Sequence, residues 1–133
     1  MRSISKLLLA LVMVILPALA GCGDDATEAD RLGVGAQCTV NDDCLQDDSI
    51  QQCLTQFKGG YCGVTACTAD ADCPASSACV AHTDGTNYCF RVCVDKAECN
   101  LNRDVDNEAN CSSSVTFVED TGSRKACVPP SGT

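Results

Sequence analysis

Cysteine is the residue type here whose number and spacing could do chemistry: there are thirteen in 133 residues, alongside a single histidine, His82. Thiols at this density crosslink, bind metal or do redox work. No two cysteines stand as Cys-x-x-Cys, the spacing of zinc knuckles and thioredoxin-like pairs, and one histidine supplies no mixed Cys/His site. Structural disulfides are the reading that remains. Twelve of the thirteen fall into three successive blocks of four. They are Cys38, Cys44, Cys53 and Cys62; Cys67, Cys73, Cys79 and Cys89; and Cys93, Cys99, Cys111 and Cys127. In each block the first two enclose five residues and an acid precedes the second, at Asp43, Asp72 and Glu98. Tyr61 and Tyr88 precede the fourth cysteine of blocks one and two, and Ala126 takes that place in block three.

Oxygen ligands are the second chemistry to weigh. Asn102, Asp104, Asp106 and Glu108 alternate oxygen-bearing side chains at the spacing of a calcium loop. Counted from Asn102, however, Asn107 stands where such a loop needs glycine and Ser113 where it needs the bidentate glutamate. The segment reads as a solvated loop, with calcium as the alternative cofactor reading. The runs Asn41-Asp42-Asp43 and Asp70-Ala71-Asp72 read as turns in which side chains bond to nearby backbone and fix the five-residue loops.

Catalysis is poorly supplied. A nucleophile needs a base held beside it, and His82, read as a bystander on a strand, has no companion motif. Carboxylates in short crosslinked loops lack the apolar surroundings that raise a pKa for acid–base work. The chain reads as a non-enzyme with no catalytic residues. Its 18 Asp+Glu against 9 Lys+Arg give a net charge of −9, which argues against nucleic acid as a partner.

The elements that must position the cysteines are short. Between the third and fourth cysteines stand turn signals: Lys58-Gly59-Gly60, Asp84-Gly85 and Asp120-Thr121-Gly122. Each predicts a β-hairpin. For the second, a two-residue Asp84-Gly85 turn puts Cys89 opposite Val80, so that Cys79 and Cys89 point to opposite faces. That favours bonding first to third and second to fourth, Cys67 with Cys79 and Cys73 with Cys89, a pattern extended to the other blocks. Spacing alone chooses none of the roughly ten thousand connectivities of twelve cysteines. Short connectors, 63–66 and 90–92, predict that the repeats stack into one elongated body.

At the N-terminus, Arg2 and Lys6 make a basic start and Leu7 to Leu16 an apolar run too short to span a bilayer. Small or helix-breaking residues follow, from Pro17 to Gly21. Leu19-Ala20-Gly21-Cys22 resembles the lipobox of bacterial lipoproteins. The resemblance implies a signal peptide over 1–21, cleavage before Cys22, and diacylation of Cys22 as the membrane anchor. Gly23 is similar to the outer-membrane-directed form in enterobacteria, so the cell envelope is the expected location and the outer membrane is favoured within it. Removing 21 residues leaves 112 and, with Arg2 and Lys6 gone, a net charge of −11. Leu, Ile, Val and Phe number only 18 of those 112, a content that with this charge ordinarily marks disorder. Exported crosslinks supply what so small a core cannot. Assigning Cys22 to lipid leaves twelve cysteines for six bridges.

Residues 22–37 read as a lipidated, flexible acidic tether, 38–127 as the cysteine-rich repeat domain (38–62, 67–89, 93–127), and 128–133 as a tail. The fifteen residues after Cys22, Gly23 to Gln37, reach about 20 Å as a coil. Their acidic charge opposes an anionic surface, so attachment depends on the acyl chains. The run from Cys67 through Asp70, Asp72, Cys73 and Pro74 to Cys79, closed by Asn87-Tyr88-Cys89, resembles the cysteine-rich repeats of bacterial surface lipoproteins. It is also similar to the N-terminal cysteine-rich domain of Dickkopf proteins. The resemblance implies an extracytoplasmic module for binding or structure, with a protein or glycan at the cell surface as partner. Asp72-Cys73-Pro74 resembles the whey-acidic-protein core without its adjacent cysteines, and a protease-inhibitor-like module with Lys58 and Arg91 as the side chains to test is a further alternative. The expected fold is small and disulfide-rich, with three four-cysteine repeats, short hairpins and little helix.

Overall fold

The structure is a computed structural model and describes residues 33–44 and 51–132. The signal segment, Cys22 and the tether up to residue 32 lie outside the described residues. The fold is small and disulfide-rich, with short antiparallel strands and little helix. In each block a strand pair sets the third and fourth cysteines opposite one another. β1 (Gln52–Cys53) pairs with β2 (Cys62–Gly63), β3 (Ser77–Ala81) with β4 (Asn87–Arg91), and β5 (Asn110–Ser112) with β7 (Ala126–Val128). The facing pairs are Cys53 with Cys62, Cys79 with Cys89, and Cys111 with Cys127. The first and second cysteines flank a turn. In blocks one and two it is a 3-10 turn, Asn41–Asp43 and Asp70–Asp72, and in block three the four-residue helix α1 (Lys96–Cys99).

Six disulfides join first to third and second to fourth in every block. They are Cys38–Cys53, Cys44–Cys62, Cys67–Cys79, Cys73–Cys89, Cys93–Cys111 and Cys99–Cys127. Their Cα–Cα separations run from 5.3 to 5.9 Å, where unstrained bridges cluster. The pairing agrees with the expected pattern, but the register argument behind it fails. The β3–β4 loop has three residues, Thr83, Asp84 and Gly85. His82 N–H donates to Thr86 O at 3.0 Å, Gly85 N–H donates to His82 O at 3.1 Å, and Gly85 takes a φ of 87°. This is the type I turn followed by a left-handed glycine that a three-residue hairpin uses. Cys79 and Cys89 therefore share a face, and each bonds a cysteine rising from the turn beneath.

Alternation along the strands assigns the other face. The residue before each fourth cysteine points away from the sulfurs, and Tyr61, Tyr88 and Ala126 all enter one cluster with Val34, Leu54, Phe57, Val80 and Phe90. The cysteines instead make three local clusters, one per block. The core is thus shared and the crosslinks are private. Within the core Phe57 meets Tyr61, Tyr88 and Phe90 edge-on, with ring centroids 5.3 to 6.1 Å apart.

Other expectations are corrected as well. Asp120-Thr121-Gly122 closes no hairpin. The strand before it, β6 (Thr116–Phe117), crosses to block two and pairs with β3, Val80 facing Phe117 and Ala81 facing Thr116. Fifteen residues separate Cys111 from Cys127, against eight and nine in the other blocks, and that length permits the excursion. Nor do the blocks contact only their chain neighbours, as a simple stack would. Arg103 of block three donates to Gly35 O, Gly60 O and Lys58 O at 2.8 to 3.2 Å, and Phe57 bridges to Ser131. The folded body also outruns its expected limits. Val34 is buried, Gly35 N–H donates to Cys62 O, and Gln37 N–H donates to Asn102 O, so 33–37 belong to the body rather than the tether. The tail is equally committed: Lys58 N–H donates to Pro130 O and Gly132 N–H to Gln56 O.

Candidate functional site

The acids before the second cysteine organise the turns. Asp43 accepts from Thr39 N–H, Thr39 hydroxyl and Val40 N–H at 2.7 to 3.1 Å, and Asp72 accepts from Thr68 N–H, Thr68 hydroxyl and Ala69 N–H at 2.7 to 3.0 Å. These bonds, backbone first, hold both carboxyls below their ordinary value of 3.8. The first residue of each 3-10 turn does a second job, since Asn41 accepts from Cys53 N–H and Asp70 from Cys79 N–H. The turns are therefore structural, as the side-chain-to-backbone reading expected.

The proposed calcium residues are not gathered. Asp104 accepts from Gln37 Nε2 at 2.8 Å, and Glu108 forms an ion pair with Lys96. Between them Val105–Asn107 forms a 3-10 turn. The sets of ligand atoms that converge among the described residues are cysteine sulfurs, all disulfide-bonded, and no set includes Asp104, Asp106 or Glu108. Asn102 contributes its backbone carbonyl to Gln37. Of the loop's acids, Asp104 is tied to the N-terminal segment and Glu108 to Lys96 of its own block, so the carboxylates are drawn to different partners rather than to one point.

His82 is no bystander on a strand. It lies just past β3, its ring 5.3 Å from that of Phe57 and 5.7 Å from that of Tyr88, with Nδ1 3.3 Å from Asp84 Oδ2. Asp84 also accepts from Thr86 N–H and the Tyr88 hydroxyl, and these bonds, the backbone one foremost, lower its pKa. Arg91 is 3% exposed, which removes it from any protease's reach. Lys58 Nζ is spent on Asp106 O at 2.6 Å.

Two residues central to the assembly were not singled out from the sequence for their structural roles. The Tyr61 hydroxyl accepts from Arg91 N–H and donates to Cys127 O, at 3.2 and 3.1 Å, so one phenol joins all three blocks. Burial pushes its pKa up to about 12. Arg103 satisfies four carbonyls, with Nε donating to Asn107 O at 2.7 Å in addition to the three above, and its own burial lowers its pKa. The excess length of block three between Cys111 and Cys127 was the signal that something is built there.

That length builds a cleft of about 580 Å3. One wall is Ser113 and 115–117, and the other is Asp120 and 122–125. The Arg124 guanidinium lies over the Phe117 ring at 4.2 Å and is anchored by Asp70 Oδ2 at 2.7 Å and by Glu119 O. The size falls within the range of about 300–1,000 Å3 typical of ligand sites. Comparison of the chain with protein-family models, curated proteins and solved structures finds no match.

Proposed function

We propose that the protein is a lipid-anchored module of the bacterial cell envelope, a disulfide-held scaffold that presents a binding surface rather than a catalytic centre. The observation that carries this reading is the closed pairing of twelve cysteines within their own blocks. With those twelve consumed, Cys22 has no thiol of this chain left to bond, and it stands at the lipobox-like position. Six bridges also match an oxidising compartment. Acyl chains on Cys22 supply the attachment, and the acidic polypeptide adds no electrostatic attraction to an anionic surface.

The test is the intact mass of membrane-extracted protein before and after reduction and alkylation. The expected result is a chain beginning at Cys22, carrying acyl mass, with twelve cysteines alkylated only after reduction. A chain without acyl mass, or with thiols free before reduction, overturns the reading. Cys22→Ser is expected to move the protein out of the membrane fraction while leaving all six bridges intact.

A further inference from the structure

We propose that residues 113–124 form a strap closed on block two by an ionic latch, Asp70 with Arg124, and that the strap lifts as a unit while the six bridges and the aromatic core stay in place. Both of its ends are pinned to block three. β5 and β7 pair from Asn110 with Val128 to Ser112 with Ala126, and Cys111 and Cys127 are bonded to Cys93 and Cys99. Cys93 N–H donates to Lys125 O at 3.1 Å, which fixes the far hinge. The residues between the hinges can therefore leave block two without loosening block three. None of them is buried: Val115, Phe117 and Arg124 are half-buried and the rest are exposed. Val115 and Phe117 pack against the aromatic cluster as part of its partly buried rim. Lifting the strap thus exposes little apolar area, whereas parting the blocks exposes Phe57, Tyr61 and Phe90.

The strap meets block two along one short line. β6 faces β3 over two residue pairs, and Val118 N–H donates to Cys79 O at 2.9 Å. Beyond β6 the contact is ionic. Arg124 Nη1 donates to Asp70 Oδ2 at 2.7 Å, Asp70 N–H donates to Glu119 Oε2 at 2.7 Å, and Arg124 Nη2 donates to Glu119 O, so Asp70 and two strap residues close a ring. The other oxygen of Asp70 accepts from Cys79 N–H at 3.0 Å, which seats the latch on β3. The latch carries its own cost. Arg124 Nε is buried and has no hydrogen-bond partner among the described residues, so opening returns that donor to water. The ion pair itself is partly open to solvent, with side-chain exposures of 19% for Arg124 and 25% for Asp70, so dissolved salt screens it. Ionic strength therefore sets how often the strap lifts, and each lift uncovers the β3 edge from Cys79 to Ala81.

The experiment is amide hydrogen exchange on the oxidised full chain in detergent, comparing Val118 N–H, which the strap donates to Cys79 O, with Cys89 N–H, which β4 donates to Val64 O. Val118 is expected to exchange at least about tenfold faster than Cys89, as a local opening does against a global one. Arg124→Gln should speed Val118 a further five- to tenfold, roughly the loss of one charged, partly buried hydrogen bond, and leave Cys89 unchanged. Arg124→Lys, which keeps the charge without the two-pronged grip, should fall between. On the unaltered chain, raising sodium chloride from about 0.05 to about 0.5 M should speed Val118 about twofold and leave Cys89 unchanged. Equal exchange at the two amides, or their acceleration together, overturns the proposal, because the strap is then no separate unit. A Val118 rate that responds to neither Arg124→Gln nor salt overturns the latch. None of these readouts depends on Cys22 acylation, so failure here and failure of the envelope reading are separately visible.

Discussion

Block two folds the five residues between its first cysteines around one carboxylate, with Asp72 taking three bonds from Thr68 and Ala69. Block three has the same spacing but Val94 in place of the threonine. There Glu98 takes a single bond from Val94 N–H, and Asp95 caps a four-residue helix by accepting from Glu98 N–H at 3.1 Å. Both turns deliver their cysteines to the same bridges. The spacing and the sulfurs therefore set the local fold, and the side chains between them choose only the kind of turn. Beyond the third cysteine the blocks diverge. Block two closes a three-residue hairpin loop, while block three spends fifteen residues on a strand lent to its neighbour and on a cleft.

If the crosslinks are what the blocks share, removing them is the largest perturbation. Full reduction is expected to unfold the chain, each bridge contributing about 2–4 kcal/mol. A near-native circular dichroism spectrum after reduction contradicts this. Arg103→Ala comes next, because it strands the carbonyls of Gly35, Lys58 and Gly60 and removes hydrogen bonds that tie block three to block one. A loss of about 3 kcal/mol is expected in denaturant unfolding, and Arg103→Lys, which keeps the charge but not the fork, should restore only part of it.

The two tyrosines sharpen the comparison further. They occupy the same repeat position, yet Tyr61 bonds buried backbone while the Tyr88 hydroxyl meets Gln56 and the exposed Asp84. Tyr61→Phe should cost about 1–3 kcal/mol and Tyr88→Phe less than about 1 kcal/mol; equal losses would sink the distinction. The smallest effect is in acid. Asp43 and Asp72 have folded pKa values below 3.8, so their contribution is present above that value and lost as pH falls through the lower, folded one. Carboxyl titration by NMR should give both midpoints below 3.8, and a midpoint at or above it removes the argument for that turn.

What could be read from the chain follows the same division. Cysteine spacing, the acids at Asp43, Asp72 and Glu98 and the turns at Lys58-Gly59-Gly60 and Asp84-Gly85 are local signals, and they predicted the blocks and two of the three hairpins, while the bridge pattern agrees although the register argument for it fails. The register of the Asp84-Gly85 hairpin was misjudged because Asp-Gly can also close a three-residue loop, which the His82–Thr86 and Gly85–His82 bonds identify. Long-range contacts were invisible for a physical reason: Arg103 is set by carbonyls 43 to 68 residues distant, which no periodicity announces. The cleft was equally hidden, since β6 is two residues long and takes its partner from another block.

No bridge crosses a block boundary, and the sequence separations run from 12 to 28 residues. On a chain that emerges N-terminus first, each block holds all its sulfur partners as soon as its fourth cysteine is clear. Oxidation can therefore keep pace with emergence, without long-lived free thiols waiting for a distant mate. The aromatic core obeys the opposite schedule. Tyr61 waits for Cys127, and Phe57 for Ser131, so docking of the blocks is the final event. The spacing predicts an order of assembly, covalent first and hydrophobic last, so a chain cut short after block two should form its four bridges without closing that core.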